Sequence, residues 1–159
     1  MASKSWTIED QNARVSFSVK KLGLITIRGN ITDFTGEVAF DKDAIEQSRF
    51  TVCVSPSTIH TGNGKRDEHL KSKDFFHVNE HPKICFESTT VKKANDNYQA
   101  IGQLSILGVT REVSIPFSFV GGVIKGEFAL NRLDYNLGEK FPAFIVGKTI
   151  QISINCKIK

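Results

Sequence analysis

The sequence predicts an all-β domain, an antiparallel β-barrel with one short helix in a crossover segment, on three observations. Apolar and polar residues alternate with a period of two along most of the chain, and turn-forming residues punctuate the alternation. Only the stretch 55–89 looks non-β for more than a few residues. No amphipathic helix is long enough to cover an open sheet of this size, so closure into a barrel is the expected way to shelter the apolar face and remove the edges. A two-sheet sandwich shares the same periodicity and stays open as the alternative.

A chain of 159 residues is one ordinary domain, so residues 1–159 are read as a single unit. Its net charge of +4 is small and scattered, which argues against nucleic acid as a partner. Twelve Phe against one Trp and two Tyr bias the aromatics toward rings that need no hydrogen-bond partner, as suits a greasy interior. Cys53, Cys85 and Cys156 are odd in number and widely spaced, with no C-x-x-C, so they are read as reduced strand residues. No run of 18 apolar residues spans a membrane. Met1 to Trp6 lacks the apolar core of a signal peptide, so the chain as written is expected in the cytoplasm, with the periplasm as the alternative if a leader was trimmed.

Taken in order, Val15, Phe17 and Val19 alternate with Arg14, Ser16 and Ser18, the pattern of a half-buried strand. Ile25 and Ile27, then Val38 and Phe40, repeat it on either side of turn-like Gly29-Asn30 and Thr35-Gly36. Asp41 to Gln47 suits a helical turn, after which Phe50, Val52 and Val54 resume the alternation. Beyond the crossover, Ile84 and Phe86 open a strand, and Asn95-Asp96-Asn97 turns the chain into Ala100, Leu104 and Ile106. A tight reversal at Gly108 to Thr110 leads to Val113, Ile115, Phe117 and Phe119, where Pro116 favours an edge or bulged position. Gly121-Gly122 reverses the chain into Phe128 and Leu130, and Ile150, Ile152, Ile154, Cys156 and Ile158 form the cleanest alternating strand.

The crossover carries its own signals. Thr61-Gly62-Asn63-Gly64 ends a strand, and Asn63 can accept a backbone N–H at the start of a helix predicted over Lys65 to Ser72. Asp67 and Glu68 in its first turn and Lys71 and Lys73 near its end match the helix dipole. Leu70, Phe75 and Phe76 are its apolar anchors, and Pro82 fixes the entry into the next strand.

The ordered set Thr61-Gly62-Asn63, Arg66-Asp67-x-His69-Leu70, Asp74-Phe75-Phe76 and Pro82-x-x-x-Phe86-x-Ser88 resembles the YceI-like lipid-binding family. Nearly the whole chain takes part. Trp6-x-Ile8, Val15-x-Phe17-x-Val19-Lys20-x-Leu22-Gly23, Arg28-Gly29 and Phe34-x-Gly36-x-Val38-x-Phe40-Asp41 look like its first strands. Gly102-x-Leu104-x-Ile106-x-Gly108-Val109-Thr110, Asn131-Arg132-x-Asp134-Tyr135-x-x-Gly138 and Val146-Gly147 look like its later motifs. The chain departs from the family at Asn12-Ala13 and Lys21, where the family carries His-Ser and His.

The resemblance implies a lipocalin-like barrel that holds the apolar tail of a polyisoprenoid or quinone-like lipid, for transport, storage or sequestration, and a homodimer. No cofactor is expected. The residues expected to face the lipid are the inward positions Phe17, Val19, Val38, Phe40, Val52, Val54, Phe86, Leu104, Ile106, Ile115, Phe117, Phe119, Phe128, Leu130, Ile152 and Ile154.

Polar constellations are weaker. His60, His69, His77 and His81 lie close in sequence, but Asn79 and Pro82 argue against the helix that would put His77 and His81 on one face, so no metal is expected. No Gly-x-Ser-x-Gly elbow marks a nucleophile, and no catalytic residue is assigned. Two alternatives from other classes remain: a small enzyme at the barrel mouth using Asp67, His69 and Arg132, or a filled barrel serving only interaction. Arg66 and Asp67 are expected to tie the crossover down, and Arg132 and Asp134 to pair with each other, with a polar head group as the alternative partner.

Overall fold

The computed structural model describes residues 5–7 and 13–158, with the side chains of the first three left aside. Readings that fall on Met1 to Lys4, Ile8, Asn12 and Lys159 lie outside the described residues. The strands are β1 (Ser5–Thr7), β2 (Ala13–Lys21), β3 (Ile25–Ile31), β4 (Phe34–Ala39), β5 (Arg49–Val54), β6 (Ile84–Ala94), β7 (Asn97–Ile106), β8 (Val109–Val120), β9 (Val123–Asn131) and β10 (Val146–Lys157). They form one antiparallel sheet in the order β1-β4-β5-β6-β7-β8-β9-β10-β2-β3. Among the described residues one α-helix, α1 (Gly64–Lys71), lies in the crossover between β5 and β6.

The two ends of this order show how the sheet closes. β3 is the last strand of the order and β4 stands next to its other end, flanked there only by the three-residue β1, yet only Thr32 and Asp33 separate β3 from β4 in sequence. One long strand therefore bends through a corner and belongs to both ends, and the sheet curls into a barrel. The corner is tied from outside: Thr32 and Asp33 donate their N–H groups to Thr58 Oγ1 at 3.2 and 3.3 Å, and Ser55 N–H donates to the Asp33 carbonyl at 3.0 Å. The remaining edge of β3 is met by His60, which exchanges two backbone hydrogen bonds with Asn30.

Several local expectations take their observed form. Asn63 caps α1, accepting from Arg66 N–H at 3.1 Å. The chain over 41–47 makes a short 3-10 turn at Ile45–Gln47. Gly121-Gly122, both at positive φ, make a two-residue turn whose twist suits a hairpin, and so do Leu107-Gly108, one residue earlier than the expected reversal at Gly108 to Thr110 because Val109 and Thr110 already belong to β8. Pro116 stands where the β8–β9 ladder stops, since pairing runs only from Val120 back to Phe117. Counted from the Gly121-Gly122 turn, position 116 is one whose N–H would point at β9, and proline has none to give. Beyond it β8 and β9 part.

Three readings need correction. Gly29-Asn30 and Thr35-Gly36 are not turns but lie within β3 and β4. Their glycines mark close approach: a Cβ on Gly29 would lie 2.6 Å from the Phe17 ring, and one on Gly36 would lie 2.1 Å from the Thr51 carbonyl oxygen. The cysteines are not all reduced. Cys53 and Cys85 face each other across β5 and β6 and form a disulfide, which wide sequence spacing concealed because strand pairing, not spacing, decides proximity. Cys156 is free and buried, and burial pushes its thiol up to about 11. Arg132 and Asp134 do not pair with each other, because the Arg132 guanidinium donates to backbone carbonyls instead.

Candidate functional site: an apolar barrel interior under a cap

One end of the barrel is plugged. Phe40 packs against Phe119, Tyr98 and Phe117 at ring-centroid distances of 4.8, 5.2 and 5.8 Å, and Phe50 adds an edge contact to Phe117 at 5.4 Å. Aromatic rings in such edge and tilted contacts fill space without needing polar partners. Phe40 and Phe119, expected to face a lipid, line neither of the two interior cavities below the cap and belong to this plug. They alternate inward as expected, but at a level where the barrel is already full.

Above the plug the barrel is hollow. The main cavity, about 180 Å³, is walled by Phe17, Val19, Val52, Val54, Phe86, Leu104, Ile106, Ile115, Phe128, Leu130, Ile152 and Ile154 among the expected residues. A smaller space of about 70 Å³ continues toward the plug, lined by Val38 and Phe117 and sharing Phe34, Val52, Phe86, Ile115 and Ile154 with the main one. Cavities lined by aliphatic and aromatic carbon in this way stay dry and accept apolar guests. The wall also includes residues not assigned from the sequence. Ile31 and Phe34 flank the bent corner, Ile59 follows β5, Leu137 comes from the loop before β10, and Val146 is the first residue of β10. Periodicity passes over such residues because they sit where strands end or bend.

The other end is covered by a cap of two pieces. The first is α1 with the chain that follows it, which sends Leu70, Phe75 and Phe76 into the cavity roof. The second is the segment 132–145, where Phe75 stacks on Phe141 with centroids 5.1 Å apart and planes 7° from parallel. His69 meets both rings edge-on at 5.2 and 5.8 Å. Asp74 joins the pieces electrostatically, accepting from Lys140 Nζ at 3.1 Å and contacting His69 Nε2 at 2.8 Å. These hydrogen bonds, His69 first and then Lys140, hold the Asp74 carboxyl below its ordinary value.

Arg132 is the charged residue on the cavity wall, and it is 1% exposed. Its five N–H groups all go to backbone carbonyls: Nε to Gly147, Nη1 to Leu137 and Gly138, Nη2 to Phe141 and Val146, at 2.6–2.9 Å. That is the full donor capacity of a guanidinium, so nothing is left for a head group or for Asp134. Asp134 is exposed and instead offers its backbone carbonyl to Arg111 Nε at 2.7 Å. Arg132 is thus the knot that gathers the loop 137–147 over the cavity, and burial lowers its pKa.

The residues proposed for chemistry at the mouth are not gathered into one site. Asp67 is buried and accepts from Thr61 N–H at 3.0 Å and from the Thr61 hydroxyl, while His60 Nδ1 stands 3.9 Å from its other oxygen. Arg66 donates to Thr61 Oγ1 and to the Thr61 carbonyl. Asp67 and Arg66 therefore brace the start of α1, whereas His69 serves the Asp74 contact and Arg132 the loop. The His77 and His81 rings lie 5.8 Å apart, and no three His, Cys, Asp or Glu side chains gather around a common point among the described residues.

An antiparallel barrel plugged by aromatics, roofed by a helix and hollow with carbon walls defines a class of protein built around an apolar interior. The chain belongs to the YceI-like domain family, whose model matches residues 6–158. It is 35% identical over 113 residues to a UPF0312 protein of Pectobacterium atrosepticum, covering 71% of this chain and 59% of that one. The chain thus spans about three fifths of the length of the curated relatives it matches. Among solved structures it resembles BcnA of Burkholderia cenocepacia, with a TM-score of 0.86 at 22% identity over 93% of this chain and 97% of that one. It also resembles a polyisoprenoid binding domain from Saccharophagus degradans, with a TM-score of 0.70 at 8% identity and 97% of both chains covered. At these identities the two structures speak for the fold.

Proposed function

We propose that this protein holds a long apolar lipid of the polyisoprenoid class in its barrel, as a carrier or store rather than as a catalyst. The observation that carries the reading is the chemistry of the wall. The cavity is lined by carbon, and its charged residue, Arg132, has every donor committed. Such a space discriminates by shape and apolarity, and each Å² of apolar surface removed from water is worth about 25 cal/mol before the costs of binding. The family membership and the polyisoprenoid binding domain of like fold agree with a prenyl chain as the guest. A quinone or alcohol head would then lie at the cap, where polar groups are within reach.

The Cys53–Cys85 cross-link favours a compartment in which disulfides persist, so the periplasm is proposed over the cytoplasm. Thiol labelling of the chain taken directly from cells tests this, since quantitative labelling of Cys53 would place it in a reducing compartment. The homodimer expected from the resemblance is part of the same proposal and is read by sedimentation velocity. For the ligand, native mass spectrometry with organic extraction of the purified protein is the deciding experiment. A co-purifying prenyl lipid supports the carrier. No retained lipid, together with no uptake of added prenyl alcohols or quinones, would sink it and favour the interaction domain.

A further inference from the structure

Six large apolar side chains stand exposed among the described residues, and four of them share one place. Leu22, Leu24 and Ile25 form the tip of the β2–β3 hairpin at 54, 86 and 54% exposure, and Phe144 is 74% exposed. Leu22 N–H donates to the Ile145 carbonyl at 2.9 Å, which sets the hairpin tip against the Phe144 segment. This rim adjoins the cavity. Val19 lies two residues before the last residue of β2, Val146 lies two residues after Phe144, and both line the interior. Lys21 pairs with Val146 across β2 and β10, and Lys148 follows two residues on. Both lysines are exposed, and neither has a carboxylate partner among the described residues.

We propose that this rim is a docking surface for an anionic lipid bilayer, with Leu22, Leu24, Ile25 and Phe144 entering the interface and Lys21 and Lys148 resting on the head groups. Apolar side chains on a tip reach below the head-group level, and flanking lysines meet the negative surface potential there. A second copy of the chain fits the same rim poorly. A two-fold contact through it would gather Lys21 and Lys148 of both copies into one interface, four like charges with no carboxylate partner among the described residues, whereas an anionic surface is complementary to them. The position beside Val19 and Val146 gives the docking a purpose, since an apolar guest entering here passes from bilayer to barrel without crossing water. The surface stands on the rim alone, so it survives or fails separately from the ligand assignment.

Flotation with vesicles of mixed phosphatidylglycerol and phosphatidylcholine tests it. The protein is expected to float with these vesicles, to float weakly with phosphatidylcholine alone, and to be released by salt. Leu24→Ser with Phe144→Ser should lower the partition coefficient about tenfold or more, with the unfolding temperature unchanged because both side chains are solvated. Lys21→Gln with Lys148→Gln should remove the preference for phosphatidylglycerol and keep the apolar part. Leu24→Trp supplies a second readout, a blue shift and quenching by brominated lipid on vesicle addition. Absence of flotation with the anionic vesicles, flotation unaffected by the Leu24 and Phe144 pair, or a dimer that dissolves when Leu24 is changed would each overturn the proposal. Vesicle binding by protein that takes up no prenyl lipid would overturn the ligand reading and leave the docking surface in place.

Discussion

The Phe75 ring lies flat on the Phe141 ring, joining residues 66 positions apart and locking the two halves of the cap together. A Cβ on Gly138 would lie 2.6 Å from the Phe75 ring, so glycine there makes room for the stack as well as for its own positive φ. The cap is therefore packed onto the barrel rather than resting over it.

Phe75→Ala is expected to cost about 2–4 kcal/mol, somewhat below the ~3–5 of a wholly buried ring, because Phe75 is half-buried. Lys73→Ala, at an exposed position, should cost well under about 1. Denaturant unfolding gives the ranking. Hydrogen exchange on ligand-free protein gives the mechanics: amides of 65–76 should be protected nearly as well as those of β10. Near-zero protection there would make the segment a mobile lid.

Acid should loosen the cap. Because the folded-state pKa of Asp74 is depressed, its contribution is present above the ordinary value of 3.8 and disappears as pH falls below it. Melting temperatures of the wild type and Asp74→Asn should differ at neutral pH and converge as pH drops past that value. A constant difference down to the most acid pH would exclude the ionised carboxylate as the cause.

A charge in the cavity should abolish lipid retention. Ile152→Lys places an ammonium among carbon walls, where it finds neither water nor a counter-ion. Phe119→Asp is the contrasting variant, since Phe119 belongs to the plug and should damage stability rather than the binding wall. Lipid extraction from both, normalised to folded protein, separates the two roles; full retention by folded Ile152→Lys would remove that position from the site.

Arg132→Met is expected to destabilise by at least about 3 kcal/mol, because five carbonyls lose their donor and those shielded from water cannot replace it. Arg132→Lys keeps the charge but brings three donors in place of five, so it should recover only part of the loss. Equal stability of wild type and lysine variant would show that charge, not the donor fork, holds the loop.

Reduction of Cys53–Cys85 should lower stability by about 3–4 kcal/mol on the chain-entropy model for cysteines 32 residues apart. Urea unfolding with and without a phosphine reductant measures it. No change would mean that the strand pairing of β5 and β6 already restrains this segment in the unfolded chain.

Alternation in the sequence was enough to determine an antiparallel sheet with one greasy face, the hairpin turns that follow β6, β7 and β8, and the capped helix after Asn63, because these follow from local backbone preference and a period of two. It also placed most of the cavity wall, from Phe17 to Ile154, since inward positions of a strand are inward wherever the sheet goes. What the alternation cannot express is the level of each residue along the barrel axis. Phe40 and Phe119 carry the same local pattern as Phe17 and Phe128, yet the first two fill one end and the others line a void. Only tertiary structure decided that, together with the meeting of Cys53 with Cys85, the corner that joins β3 to β4, and the turning of Arg132 toward five carbonyls instead of Asp134. Each depends on which distant segments the closed sheet brings opposite one another, and contacts of that kind are set by register and closure rather than by neighbours in the chain.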